Sequence, residues 1–340
     1  MKILLLLTSL LLFFSIVLKR KELPQTSFYI TKDQSDICKV IAAITVVSYH
    51  SAIALGPSLP MSGYLAAMGY PAVGIFFFLS GYGLMKSFMA KGDIYLRTFW
   101  KNRIAKILIP FFIVSLFSFI IDCFNGIDCS QYIRNFQKGF PPLVNSWFIY
   151  LILASYFLFY CVFKIIRKVG LGISIIVIVS VLYYLLIRTI NWPGHWNASI
   201  LSFPFGMVLS KIDKFISFSR RVFVMTLFVI SSLLLFYITH FNLPENHETL
   251  CGFLIMLILP FAIIVSLTEI NIKFKRMVDL FKQFYFELYL VHGLLINLMG
   301  SFIYKVNPFL SFFLILALSF ITAWFFHKLM VPIYKKFDNK

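Results

Sequence analysis

His50 closes the run KVIAAITVVSYH, and Lys39 opens it. Imidazole can take and return a proton near neutral pH, and a lysine ammonium can hold an anion. Eleven residues at about 100° each return to within roughly 20° of the start. In a helix the two side chains therefore share a face, about 16 Å apart along the axis. A charge at one edge of an apolar run and a titratable ring deeper on the same stripe look like two ends of a channel or binding slot. A plainer account fits the same residues. Ser35 or Asp36 caps the helix, Lys39 snorkels to the headgroups, and His50 bonds a neighbouring helix. An intramembrane ionisable residue is a functional candidate by default, and the shared face adds to that side. His292, in YFELYLVHGLL, is a second candidate. It lies about 12 Å from the inner end of its run, a depth approaching that of His50, where a lone histidine also serves as a structural residue. In LRTFWKNRIAKILIPFF, Lys101, Arg103 and Lys106 gather at the edge of another run. They read as topology signals or as a clamp on an anionic headgroup or nucleotide phosphates.

The elements that must position these groups follow from composition. Of 340 residues, 60% are hydrophobic and only 13% charged, with mean hydropathy +0.89. That balance fits a polytopic membrane protein. Apolar runs occur at about 3–18, 37–55, 70–89, 107–122, 147–163, 171–190, 198–210, 222–240, 249–268, 284–303 and 309–331, those at 3–18 and 198–210 being short. The expected fold is all-α, with ten transmembrane helices plus an extra N-terminal helix. The first run has no A-x-A cleavage site and its charges follow it, so it reads as a retained helix rather than a leader. The domains expected are 1–34, a hydrophobic helix and connector, and 35–340, the membrane domain.

Net charge is +18, which in a soluble chain would suggest nucleic acid. Here 26 of the 31 Lys and Arg fall in one alternating set of connectors. Positive-inside bias accounts for that and leaves no nucleic-acid partner to invoke. The C-terminus is then cytoplasmic, and with eleven spans the N-terminus is outside. Gly74, Ser80, Gly81 and Gly83 form a small-residue patch suited to close helix packing, with a ligand-lining role as the alternative. Trp147 reads as an interfacial belt residue, and so do the tryptophans of NWPGHWN, 191–197, which could otherwise stack on a sugar ring. Cys123 and Cys129 could form a disulfide on the outer side. His195, His240 and His247 have no evident role, and the cysteines show no metal-binding spacing.

Several motifs in order resemble the acyltransferase-3 family of integral membrane acyltransferases. These are Asp36-x-x-Lys39 followed by ten residues and His50, FFFLSGYGL at 76–84, the basic segment from Arg103 to Pro110, WFIYLIL at 147–153 and LYLVHGLL at 288–295. Lys39 stands where the family usually has arginine. Arg103 and Lys106 stand where it has two arginines three apart. Both swaps keep the charge and lose one planar fork. The resemblance implies a multi-pass protein of the cell membrane. It implies transfer of an acyl group, commonly acetyl, from cytoplasmic acyl-CoA to a sugar hydroxyl of a surface or lipid-linked glycan. Lys39, Arg103 and Lys106 would hold the phosphates, with the pantetheine arm running up the stripe to His50. His50, with His292, would do the chemistry. The expected partners are acyl-CoA (acetyl-CoA first), a saccharide acceptor, the bilayer, and assembly proteins of a surface polysaccharide; no metal is expected.

A different class also fits many helices with intramembrane histidines and a basic mouth: a flippase or proton-coupled exporter of a glycan intermediate. Few buried carboxylates and no clear inverted repeat count against it. A non-catalytic partner in a surface-polymer assembly is a third reading.

Overall fold

The computed structural model describes residues 30–124, 126, 128, 130–137, 147–190, 192, 196–197, 199–213, 258, 260–264, 275–303 and 307–338. Every regular element among them is helical. Backbone groups in hydrocarbon must be satisfied within their own segment, and apolar runs of this length do so as helices.

The first helix, α1 (Lys32–Leu55), begins one turn earlier than the sequence suggested. Thr31, not Ser35 or Asp36, is its cap, and Thr31 and Gln34 close a reciprocal capping box. A turn at Gly56–Ser58 and the short α2 (Ser62–Ala67) lead to α3 (Gly69–Lys91). After α4 (Asp93–Arg97) comes a π-helical turn, Trp100–Ile104, which runs into α5 (Ala105–Phe124). Next are α6 (Ser130–Gln137), α7 (Trp147–Ile165), α8 (Val169–Thr189) and α9 (Ser202–Ile212). The last three are α10 (Lys275–Phe281), α11 (Tyr285–Ile303) and α12 (Pro308–Asp338).

Six helical stretches among the described residues are long and apolar enough to cross a membrane: Lys32–Ser58, Gly69–Lys91, Ala105–Phe124, Trp147–Ile165, Val169–Thr189 and Pro308–Lys336. Tyr285–Met299 is a shorter apolar helix. The chain is a multi-pass membrane protein. The runs expected at 3–18 and 222–240 lie outside the described residues, as does most of 249–268. The run at 198–210 differs from expectation. Its described helix, α9, has 11 residues, about 16 Å of rise, short of the roughly 20 residues that a span needs.

In the bundle α1 packs against α3, α11 and α12, and α3 lies closest to α9. The small-residue patch explains that closeness. A Cβ added at Gly81 of α3 would strike the Phe203 carbonyl of α9, and one at Gly206 of α9 would strike the Phe78 carbonyl of α3. Each glycine lets the other backbone in. Tyr82 and Lys86 of α3 tie the same pair by reaching buried Asp213, at 2.7 and 2.6 Å. Large apolar side chains on α5 and α8, Phe112, Leu116, Leu182 and Leu185 among them, stay exposed, as surfaces facing hydrocarbon do.

Candidate active site

Start of α1, end of α3, the π turn and start of α11 surround a cavity of about 680 Å³. Lys32, Lys39, Lys86, Arg103, Lys106 and Lys282 line it, against the carboxylates of Asp36 and Glu287. Part of that charge is already used. Lys86 pairs with Asp213 at 2.6 Å, Lys282 with Asp279 at 2.6 Å, and Lys39 lies 3.8 Å from Asp36. Arg103 makes no ion pair among the described residues. Its Nε donates to the Tyr95 hydroxyl at 3.2 Å, which fixes the guanidinium and leaves its terminal nitrogens for a ligand. Burial pushes the Tyr95 hydroxyl up from its ordinary value, so it stays a neutral acceptor. The π turn carries Lys101 and Arg103; such turns re-aim side chains that a regular helix would place elsewhere. All three residues expected to bind phosphate therefore meet in one cavity, Lys39 from α1 and Arg103 and Lys106 from the segment 100–106.

The cavity does not run the length of the Lys39–His50 stripe. It stops at an aromatic layer of Phe76, Phe148 and Tyr289, whose ring centroids lie 5.2 to 6.4 Å apart. His50 and His292 stand beyond it. Their rings lie 5.1 Å apart, and Tyr289 touches His292 at 5.6 Å. The straight slot expected from the helix wheel is thus closed by side chains from α3, α7 and α11, which the sequence of α1 could not show.

The two histidines differ. His292 is 1% exposed. Its Nδ1 lies 2.5 Å from the Tyr289 carbonyl oxygen. A carbonyl can only accept, so Nδ1 carries the proton and Nε2 the lone pair. That Nε2 is buried with no hydrogen-bond partner among the described residues. His50 is only partly buried and stacks edge-on against Tyr49 at 4.5 Å. It stands five residues from the end of α1, so it is nearer the end opposite the basic cavity than mid-depth. One ring accessible and one fixed behind it, both in an apolar surround, can accept and pass a proton.

A family model described as an acyltransferase domain, of acyltransferase family 3, matches residues 33–328. The chain belongs to the acyltransferase-3 family. No curated protein and no solved structure matches it. The match spans α1 through most of α12 and takes in the aromatic layer, the histidine pair and most of the cavity wall, with Lys32 and Tyr334 just outside it.

Other expected features fall differently. Trp147 is not a belt residue; it is buried, with its ring 6.5 Å from that of Tyr70. Trp196 is buried too and packs 6.4 Å from Trp192, so neither the belt nor an open sugar platform describes it. Ser80 and Gly83 line the cavity, so the small-residue patch serves packing on one face and lining on the other. Cys123 is held in a disulfide; Cys129 lies outside the described residues, as do His195, His240 and His247. Glu287, His327 and Tyr334 also line the cavity and were missed. Glu287 sits within the LYLVHGLL neighbourhood, where a carboxylate in an apolar run was the available signal.

Proposed function

We propose that this acyltransferase moves an acyl group, acetyl first among candidates, from cytoplasmic acyl-CoA to a hydroxyl of a cell-surface or lipid-linked saccharide. The observation that carries the reading is the histidine pair, set beyond an aromatic layer from a cavity rich in Lys and Arg. Arg103, Lys106 and Lys39 hold the donor's phosphates, Arg103 by its fixed guanidinium. The thiol arm points at the aromatic layer, and rotation of Tyr289 or Phe148 admits the thioester to His50. Neutral His50 takes the proton of the attacking hydroxyl. The oxygen attacks the thioester carbonyl, the C–O bond forms and the C–S bond breaks. The departing thiolate then receives that proton from His50, leaving free CoA and an O-acyl sugar. His292, its ring 5.1 Å from that of His50, stabilises the charged ring as it forms.

The basic cavity lies on the cytoplasmic side of the cell membrane in this reading, with the C-terminus, because the Lys and Arg bias runs that way. The disulfide at Cys123 supports it, since the opposite end of α5 then faces an oxidising compartment. Assembly proteins of a surface polysaccharide are fitting partners for such an acceptor. The family gives no support to the transport reading. Membranes containing the protein, given labelled acetyl-CoA, should release free CoA and label a glycan. Release of neither would sink the reading in favour of transport or assembly.

A further inference from the structure

Glu287 is a carboxylate only 2% exposed inside an apolar bundle. Two residues of α12 reach it. His327 Nδ1 lies 2.8 Å from Glu287 Oε1, and the Tyr334 hydroxyl donates to the same oxygen at 3.0 Å. The Glu287 carboxylate accepts from both, so Nδ1 carries a proton, and in the neutral ring it is Nε2 that carries the lone pair. A clamp between α11 and α12 would explain the two bonds. It does not explain why all three residues stand in the wall of the donor cavity. With Nδ1 taken, Nε2 is the one ring nitrogen His327 has left to offer a ligand.

Height along the bundle says which part of a donor it meets. Glu287 precedes His292 by five residues on α11, about 7.5 Å of rise, on the cavity side of the aromatic layer. A thioester carbon delivered to the histidine pair trails its thiol arm back into the cavity. The first amide nitrogen of that arm is four bonds away, about 5 Å, and the second about 10 Å. The level of Glu287 falls between them. The phosphates lie further back, among Arg103 and Lys106.

We infer that His327 is a donor-binding residue whose Nε2 accepts an amide N–H of the pantetheine arm, with Glu287 and Tyr334 as positioning residues that fix its tautomer. This rests on the acyl-CoA reading above and deepens it. The site then recognises a phosphopantetheine thioester by its arm as well as by its phosphates.

The test uses the full chain in membranes, with labelled acetyl-CoA as donor and two fragments as inhibitors. Pantetheine carries the arm alone, and 3′,5′-ADP carries phosphates alone. His327→Asn keeps an amide at the place of Nδ1 and so keeps the bond to Glu287, but loses Nε2. His327→Gln offers an amide oxygen at the place of Nε2. The expected result is that His327→Asn raises the KM for acetyl-CoA and the inhibition constant of pantetheine by about tenfold, one hydrogen bond's worth. Its kcat and its inhibition by 3′,5′-ADP should stay near wild type, and His327→Gln should stay close to wild type throughout. The reverse order, Asn tolerated and Gln impaired, makes the trio a helix clamp and overturns the assignment. If neither variant accumulates, the wild-type protein decides. It should bind pantetheine about tenfold more tightly than an analogue with esters in place of both amides; equal binding overturns the assignment. A wild-type chain that releases no CoA sinks the acyl-CoA reading itself, and this assignment with it.

Discussion

His50 and His292 are close enough to act together, at 5.1 Å between rings, yet their surroundings give them unequal work. His50 is the more accessible ring and has no hydrogen bond among the described residues that commits either nitrogen. His292 has Nδ1 committed to the Tyr289 carbonyl. Glutamine preserves hydrogen bonding but cannot take a proton at neutral pH. His50→Gln should therefore leave protein levels near normal and cut acyl transfer by at least about two orders of magnitude, the usual worth of a positioned acid–base group. His292→Gln should cost less, as it supports rather than contacts the acceptor. Transfer from labelled acetyl-CoA at matched protein levels measures both; a His50→Gln variant with most of its activity left would make the pair a packing feature. At the other side of the aromatic layer, Arg103→Ala should weaken donor binding by about 1.5–3 kcal/mol if its guanidinium meets phosphate. An unchanged acyl-CoA affinity would reduce Arg103 to a topology signal.

Helix contacts decide whether these residues meet. Lipid tails are as apolar as leucine, so helices in a bilayer associate through close fit rather than through burial of apolar surface. The α3–α9 contact is such a fit, with Gly81 and Gly206 each facing the other helix's carbonyl. Gly81→Ala places a methyl against backbone, which cannot rotate away, and overpacking of that kind costs about 1–3 kcal/mol. Gly83, one turn-fraction on, has open space around its would-be Cβ, so Gly83→Ala should be tolerated. Thermal unfolding of the detergent-solubilised variants separates the two. Equal melting temperatures would mean that α3 and α9 are not seated as described. The pair matters for the site because α3 also carries Phe76 of the aromatic layer and Lys86 of the cavity wall.

For the whole molecule, the sidedness of the bundle governs which substrate comes from which compartment. Ile94, in α4 beside the basic cavity, is 69% exposed, and Ile133, in α6 toward the other end of α5, is 63% exposed. In a background without free cysteines, Ile94→Cys should resist membrane-impermeant thiol reagents in intact cells and Ile133→Cys should react. The opposite pattern would turn the donor mouth to the outside and remove cytoplasmic acyl-CoA as its substrate.

The sequence by itself determined the membrane class, the helical character and the family, because hydropathy, Lys and Arg bias and short motifs are local properties of the chain. It also determined that Lys39 and His50 share a face of α1, since that follows from helical rise alone. Only the tertiary structure decided what that face meets. Phe76, Phe148 and Tyr289 come from three helices and close the stripe between its two ends, and no periodicity within one run encodes such a meeting. The same holds for His292, whose depth was legible but whose partner was not, and for Glu287 and His327, 40 residues apart. Trp147 shows the reverse failure. An aromatic at the start of an apolar run fits the lipid interface and the protein interior equally well, and the neighbour that chose the interior, Tyr70, lies on another helix.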